Sequence, residues 1–209
     1  MKIAVIAANG KAGQLIVKEA LDRGHDVTAI VRGENKSAAS NVIIKDAFDL
    51  TAEDLAGFEV VIDAVGVWTP DTLPQIAKAA GHLAGLLSGT DIRLLVVGGA
   101  GSLYMDETHT VALEDTPAFL DEYKPVSAAH GDALNLLRER SDVKWTYISP
   151  AADFQAEGDR TGSYELAGEE FTTNSEGQSF ISYADYAIAM VDEAESGTHA
   201  GQRISVYTK

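Results

Sequence analysis

The sequence contains no cysteine. This absence excludes disulfide bonds, catalytic thiols and metal sites built on thiolates. Long apolar runs are also missing, since no stretch approaches the roughly 20 residues that a membrane-spanning helix needs. The charged Lys2 leads directly into a short apolar run, without the pattern of a secretory signal. We therefore expect no membrane association, and the predicted location is the cytoplasm.

Positive charge is scarce. The chain has 16 Lys and Arg residues against 32 Asp and Glu, a formal net charge of −16. Such a chain repels nucleic acid and anionic lipid, so neither is an expected partner. The five histidines have no metal-ligand spacing, and no metal site is predicted. A pocket for an anionic ligand would have to supply its own positive charge locally.

Apolar segments of strand type alternate with segments of helical periodicity. This rhythm predicts parallel strands joined by helices, hence a doubly wound α/β sheet of the Rossmann type in a single domain, residues 1–209. Residues 151–181 interrupt the rhythm and are interpreted as a substrate-side excursion with one or two short strands. Ser182 and Asp185 in "SYAD" predict a capping box at the next helix. The predicted strands are 1–7, 26–31, 42–45, 60–65, 93–97, 145–148 and 203–207, and the predicted helices are 11–23, 70–87, 126–140 and 182 to about 195.

The stretch "IAVIAANGKAGQ", residues 3–14, predicts a strand that turns into a helix N-terminus, an arrangement that binds phosphate. Gly10 is expected to permit the turn and Gly13 to let the helix pack closely, while the backbone amides of Asn9, Gly10, Lys11 and Ala12 face a phosphate. Ala7 replaces the first glycine of the dinucleotide fingerprint, and it tolerates the turn if its φ is negative. A purely structural turn is the alternative, but the βαβ context favours a nucleotide site.

Arg32 follows the second predicted strand, where NAD-binding proteins place an acidic residue. A guanidinium there suits a 2′-phosphate, which favours NADP(H) over NAD(H). The alternative is a surface arginine at a strand end.

Several segments together resemble the NAD(P)H–flavin reductases of the atypical short-chain dehydrogenase/reductase group, related to biliverdin/flavin reductases and NmrA-like proteins. They are "MKIAVIAANGKAGQLIVKEALDRGHDVTAIVR", "KDAFDL", "WTYISPAADF", "TGSY" and "GQSFISYADYAIAMVDE". The resemblance covers nearly the whole chain and implies the same fold. It also implies a cofactor pocket at the strand ends. In this pocket the adenine is flanked by Asp46 and Ala47, and the ribose and nicotinamide lie beside Ala64, Val65 and Gly66. The nicotinamide is lined by Val97, Gly98 and Gly99, and the pocket is closed by Pro150 and Ala151.

The Tyr-x-x-x-Lys pair of alcohol-oxidising relatives is absent. Tyr123 has Ser127 four residues later, and Lys124 follows it directly. A flavin reductase needs no such pair, because stacking of the nicotinamide on the flavin does most of the work. The negative charge that develops on the flavin could be met by His130 or Ser102, the two candidate catalytic residues. His130 is equally interpretable as a solvated helix residue; if functional and unperturbed, its pKa would be near ~6.5.

Two functions remain open from the sequence. One is an NADPH-dependent reductase of a small-molecule acceptor: a free flavin (FMN or riboflavin as substrate, not prosthetic group), a flavin-like molecule or a quinone. The other is a non-catalytic NADP(H)-binding redox sensor that regulates a protein partner. The oligomeric state is not readable from the sequence.

Overall fold

A computed structural model describes residues 1–209 of the chain. It contains ten strands and five α-helices. The strands are β1 (Lys2–Ile6), β2 (Asp26–Val31), β3 (Asn41–Ile44), β4 (Val60–Asp63), β5 (Arg93–Val97), β6 (Lys144–Ser149), β7 (Asp153–Gln155), β8 (Glu165–Ala167), β9 (Phe180–Ser182) and β10 (Gln202–Tyr207). The helices are α1 (Lys11–Asp22), α2 (Ala52–Leu55), α3 (Pro74–Leu86), α4 (Lys124–Arg138) and α5 (Tyr183–Ser196).

Eight strands form one sheet in the order β3-β2-β1-β4-β5-β6-β10-β8. All neighbours pair in parallel except β8, which is antiparallel to β10. The predicted doubly wound α/β fold is confirmed. The strand order grows outward from β1 in both directions, so a crevice opens at the carboxyl ends of β1 and β4, where ligands of such sheets bind.

The central strands are apolar on both faces because helices cover both faces. One hydrophobic cluster packs α1 and α5 against one face of the sheet and includes Ile16 and Met190. A second cluster packs α3 and α4 against the other face and includes Leu83 and Leu134. The sheet is thereby held between two helical layers, and its carboxyl edge is left for loops. None of the helices combines the length and apolar character that crossing a bilayer requires.

The predicted element boundaries shift at two helices. Helix α3 begins at Pro74 rather than at residue 70, because the amides of Thr72 and Leu73 both donate to the Thr69 carbonyl in a preceding turn. Helix α4 spans Lys124–Arg138 rather than 126–140. The short helix α2 was not predicted, and a capping box of Thr51 and Asp54 stabilises its start.

Residues 151–181 hold two strands, and a third begins at their end. β7 and β9 form a separate parallel pair near the carboxyl edge of the main sheet, whereas β8 extends the main sheet beside β10. Strand β8 thus covers a sheet edge, and the substrate-side role of residues 151–181 stays a prediction.

The predicted capping box at α5 forms only in half. The Ser182 hydroxyl accepts a hydrogen bond from the Asp185 amide at 3.0 Å, as expected. The Asp185 carboxylate, which is fully buried, instead accepts from the Gly162 amide at 2.9 Å and from the hydroxyl and amide of Thr161. Asp185 thus fastens the 160–163 loop to α5 rather than completing the cap.

Candidate active site

A large cavity lies at the carboxyl ends of the parallel strands. Its volume is about 1380 Å³, above the roughly 300–1,000 Å³ of common ligand pockets. Of the residues predicted to hold the cofactor or to act in catalysis, Gly13 and Ser102 are not part of its lining. The others all line it: Ala7, Asn9, Gly10, Lys11, Ala12, Arg32, Asp46, Ala47, Ala64, Val65, Gly66, Val97, Gly98, Gly99, His130, Pro150 and Ala151.

The left-handed backbone conformation in the turn after β1 lies at Ala7 and not at Gly10. Ala7 has φ +56°, in the left-handed region, so the condition of a negative φ is not met. Gly10 has an extended conformation with φ −69° and donates its amide to the Ala7 carbonyl at 2.9 Å. The alanine therefore occupies a conformation that suits glycine, at a cost of roughly 1–2 kcal/mol.

Gly13 acts through packing. A Cβ at this position would lie 2.6 Å from the Ala7 carbonyl oxygen and 2.9 Å from the Ala8 Cα, both backbone atoms. Gly10, the residue before α1, has no side chain to cap the helix, so the first-turn amides of α1 have no capping partner. Close approach of α1 to the β1 turn together with this uncapped terminus fits a dinucleotide pyrophosphate.

Asn9 connects the β1 turn to the loop after β2. Its side-chain amide donates to the Glu34 carbonyl at 2.8 Å, and its side-chain oxygen accepts from the Lys36 amide at 2.7 Å. Sequence reasoning assigned only its backbone amide to a ligand. The side chain holds the loop that carries Arg32 beside the phosphate-binding turn.

Four basic side chains line this part of the cavity: Lys11, Arg32, Lys36 and Lys45. Lys11 pairs with Glu157 at 2.7 Å and Lys45 with Asp54 at 2.7 Å, whereas Arg32 and Lys36 form no ion pair. In a chain with net charge −16, these residues supply the local positive charge that a phosphorylated ligand needs.

The loop after β3 contributes a small apolar surface. Asp46 accepts from the Phe48 amide at 3.0 Å and thereby caps a short 3-10 turn, 47–49. Ala47 and Phe48 line the cavity beside it. Phe48, which was not predicted, offers a ring against a planar base.

The turn after β4 is held by a buried acid that sequence reasoning missed. Asp63 is 3% exposed and accepts a hydrogen bond from the Val65 amide at 3.0 Å. Burial raises the pKa of Asp63 to about 7. This carboxyl fixes the backbone of Ala64 and Val65, and no basic side chain compensates it.

Glycines at the end of β5 allow a close contact with β6 and α4. A Cβ on Gly98 would lie 2.3 Å from the Tyr147 ring, and one on Gly99 would lie 3.0 Å from the His130 side chain. The buried Tyr147 hydroxyl accepts from the Gly99 amide at 3.0 Å and donates to the His130 carbonyl at 3.1 Å. One phenol thus ties the β5 turn to the middle of α4.

His130 lines the cavity from the middle of α4, not from the start of that helix. Burial lowers its pKa to about 4, so the value near ~6.5, which was conditional on an unperturbed imidazole, does not apply. Its Nδ1 is buried without a hydrogen-bond partner. At neutral pH the imidazole is therefore neutral, and it can act through a hydrogen bond but not as a cation.

Ser102 lies away from the cavity lining, and its hydroxyl accepts from the buried Arg203 guanidinium at 2.9 Å. This contact gives it a structural role, and the prediction of a catalytic Ser102 is not supported by its placement. Ser127 and Tyr123 do line the cavity. Ser127 stands four residues after Tyr123, where a Tyr-x-x-x-Lys pair would have its lysine. Its hydroxyl donates a hydrogen bond to the Glu114 carboxylate at 2.5 Å.

The part of the cavity beyond the β4 and β5 turns is aromatic. Sequence reasoning missed this feature, because the rings come from loops scattered along the chain; the only sequence signal is the aromatic content of segments without regular periodicity. The rings of Phe154 and Tyr183 contact one another, with centroids 4.0 Å apart and planes tilted by 37°. The aromatic residues lining this half are Trp68, Phe119, Tyr123, Phe154, Phe171 and Tyr183. No group of three or more His, Asp or Glu side chains is placed to hold a metal ion.

Comparison with known proteins is consistent with this geometry. A family model for NAD(P)H-binding proteins matches residues 7–196. The chain is 58% identical to a proposed NADH-flavin reductase of Streptococcus pneumoniae TIGR4, whose crystal structure matches with a TM-score of 0.98 over 100% of both chains. It is 44% identical to YwnB of Bacillus subtilis (strain 168), a protein of uncharacterised function, over 100% of this chain and 99% of YwnB. A proposed epimerase of Bacteroides thetaiotaomicron is 32% identical, with a TM-score of 0.86 over 99% of this chain and 96% of that protein.

Proposed function

Because the chain belongs to the NAD(P)H-binding family, we propose that it is an NAD(P)H-dependent reductase of a free flavin, a flavin-like molecule or a quinone. One observation carries this proposal: a single cavity joins a basic half suited to a dinucleotide with an aromatic half suited to a second planar molecule. The cavity volume of about 1380 Å³ supports the presence of two ligands. The name of the pneumococcal relative points to the same reaction class.

The residues divide the work by position. The uncapped α1 terminus and Arg32 would hold the phosphates, and Ala47 with Phe48 would flank the adenine. When bound, the dinucleotide supplies a hydride to the acceptor. The chain's own contribution is to orient the two rings and to exclude water, which accounts for an aromatic lining without a strong acid. His130 would add a neutral hydrogen bond.

We further propose a preference for NADPH over NADH. Arg32 lies in the cavity at the end of β2 and has no acidic partner, so its guanidinium is free to meet a 2′-phosphate. Lys36 lies on the same loop and adds a second positive charge.

Steady-state oxidation of NADPH and NADH with FMN, riboflavin and a quinone tests the proposal. We expect turnover well above the non-enzymatic rate with at least one acceptor. Turnover at the background rate with every acceptor would contradict it. Tight NADPH binding without turnover would instead support a redox sensor.

A further inference from the structure

The basic side chains of the cavity lining are confined to one side of the cavity. Arg32, Lys36 and Lys45 lie on the loops that follow β2 and β3, and Lys11 is the first residue of α1. The acidic Glu34 and Asp46 line the same side. From Ala64 onward, the lining contains a single charged side chain, and it is the acidic Asp153 on β7. His130 is also on this side, but it is neutral at physiological pH because burial lowers its pKa. The aromatic half of the cavity therefore contributes no cation of its own, and Lys11, whose charge acts on the Tyr183 phenol, is paired with Glu157.

From this division we infer that the second ligand is a planar aromatic acceptor without a phosphate group, of the riboflavin or neutral quinone class, and that FMN and FAD are disfavoured. The inference rests on the proposed reductase function, and it narrows the acceptor within that function.

The surroundings of the aromatic half reinforce its negative character. Glu114 accepts the hydrogen bond of Ser127 just behind the lining. Helix α4 contributes Ser127 and His130 to this part of the lining, and its two basic residues are already paired. Lys124 pairs with Asp121 at 2.6 Å, and Arg138 pairs with Glu169 at 2.6 Å. The phosphate of a flavin held in the aromatic half would therefore find these two basic side chains already paired, in a molecule whose net charge is −16.

The basic half cannot serve a second phosphorylated ligand at the same time. Lys11 is engaged by Glu157 and Lys45 by Asp54, which leaves Arg32 and Lys36 for the dinucleotide itself. A flavin phosphate carries about two negative charges at neutral pH. Repulsion from Asp153 at a separation of several ångströms near water should weaken FMN relative to riboflavin by about 5- to 10-fold.

The experiment measures equilibrium binding of riboflavin and FMN to the protein saturated with NADP⁺, by quenching of flavin fluorescence. We expect riboflavin to bind about 5- to 10-fold more tightly at low salt, and the ratio to shrink above ~0.5 M salt because screening weakens the repulsion. Asp153→Asn should reduce the ratio to about 2-fold. Asp153→Lys should reverse it in favour of FMN.

Asp159 provides a matched control, since it is exposed in the same segment but outside the cavity lining. Asp159→Lys changes the net charge of the protein by the same amount as Asp153→Lys, and it should leave the preference for riboflavin over FMN intact. Equal or tighter binding of FMN to the unmodified protein would overturn the inference, as would the absence of binding by riboflavin, FMN and a neutral quinone alike. A riboflavin preference without NADPH turnover would contradict the reductase function alone.

Discussion

Arg32 is the residue on which the proposed cofactor preference depends. Its side chain lines the cavity and has no ion-pair partner. Because a guanidinium–phosphate contact is charge-assisted, Arg32→Ala should weaken NADPH binding by about 10- to 100-fold and leave NADH binding nearly unchanged. Titration of the protein with each dinucleotide measures both affinities. Lys78→Ala, an exposed change on α3 outside the cavity, should alter neither. Equal affinities in the unmodified protein would contradict the placement of the 2′-phosphate at Arg32.

His130 should act as a neutral group. Burial lowers its pKa to about 4, so the imidazole carries no charge between pH 5.5 and 8. His130→Ala should therefore lower kcat by about 10-fold, the loss of one hydrogen bond, with little change in NADPH affinity. The pH profiles of kcat for the unmodified enzyme and for His130→Ala should have the same shape near pH 6.5. An inflection near pH 6.5 in the unmodified enzyme alone would mean that the His130 imidazole is solvated and becomes protonated in this range. His109→Gln, at an exposed histidine outside the lining, is the control.

Asp63 makes stability depend on pH. Burial raises its pKa from 3.8 to about 7, so the folded protein binds this proton more tightly than the unfolded chain does. Its contribution to the free energy of unfolding is therefore fully present below pH 4 and is lost as the pH rises through 7. Asp63→Asn keeps an acceptor for the Val65 amide and removes the charge.

At pH 8 this variant should be more stable than the unmodified protein by about 2–4 kcal/mol, and the difference should vanish near pH 4. Denaturant unfolding across this pH range measures it. The exposed Asp159→Asn should show no such trend. A constant difference at every pH would mean that burial does not raise the pKa of Asp63 above its value in the unfolded chain.

Between elements, Tyr147 joins β6, the β5 turn and α4. Its hydroxyl is fully buried and bonds both the Gly99 amide and the His130 carbonyl. Tyr147→Phe removes both bonds and leaves the two backbone groups unsatisfied, so it should lower the free energy of unfolding by about 1–3 kcal/mol. Denaturant unfolding measures this loss. Tyr207→Phe, on a half-buried phenol of β10, should cost less. Equal losses in the two variants would show that the Tyr147 hydrogen bonds contribute nothing measurable to the free energy of unfolding.

The regular elements were predictable because their signals are local. Strand β4 opens with three apolar residues and is buried along its length, and α1 shows helical periodicity. The contacts that depend on distant partners were not predictable. Asp185 matched the capping pattern, yet it bonds a loop more than twenty residues earlier. The surroundings of Asp63 arise from its pairing between β1 and β5, and those of His130 from the approach of the β5 turn to α4, so both depend on segments far apart in the sequence.

The cofactor half of the site was more accessible to sequence reasoning than the acceptor half. Glycines and Arg32 keep fixed positions relative to β1, α1 and β2, so a motif finds them. The aromatic lining is assembled from loops between residues 68 and 183 that share no spacing. Even within the motif, the left-handed backbone at Ala7 was hidden, because nothing in the residue type indicates it.

At the scale of the whole molecule, dinucleotide binding should stabilise the fold by mass action. NADP⁺ at about 100 times its dissociation constant contributes roughly 2.7 kcal/mol. In a chain of 209 residues this should raise the unfolding midpoint by about 5–10 °C. Thermal unfolding with equal concentrations of NADP⁺ and NAD⁺ measures it without any acceptor, and NADP⁺ should give the larger shift. No shift with either dinucleotide would contradict the assignment of the basic half.

The two hydrogen bonds of the Asn9 side chain couple two recognition events that are chemically separate. They fix the Arg32 loop to the turn before α1, so a ligand that orders one of these segments lowers the entropic cost of ordering the other. The 2′-phosphate and the pyrophosphate should therefore be bound cooperatively, with a coupling free energy that depends on a residue touching neither the guanidinium nor the 2′-phosphate. Discrimination between the two dinucleotides is then a property of the joined loops, not of Arg32 alone.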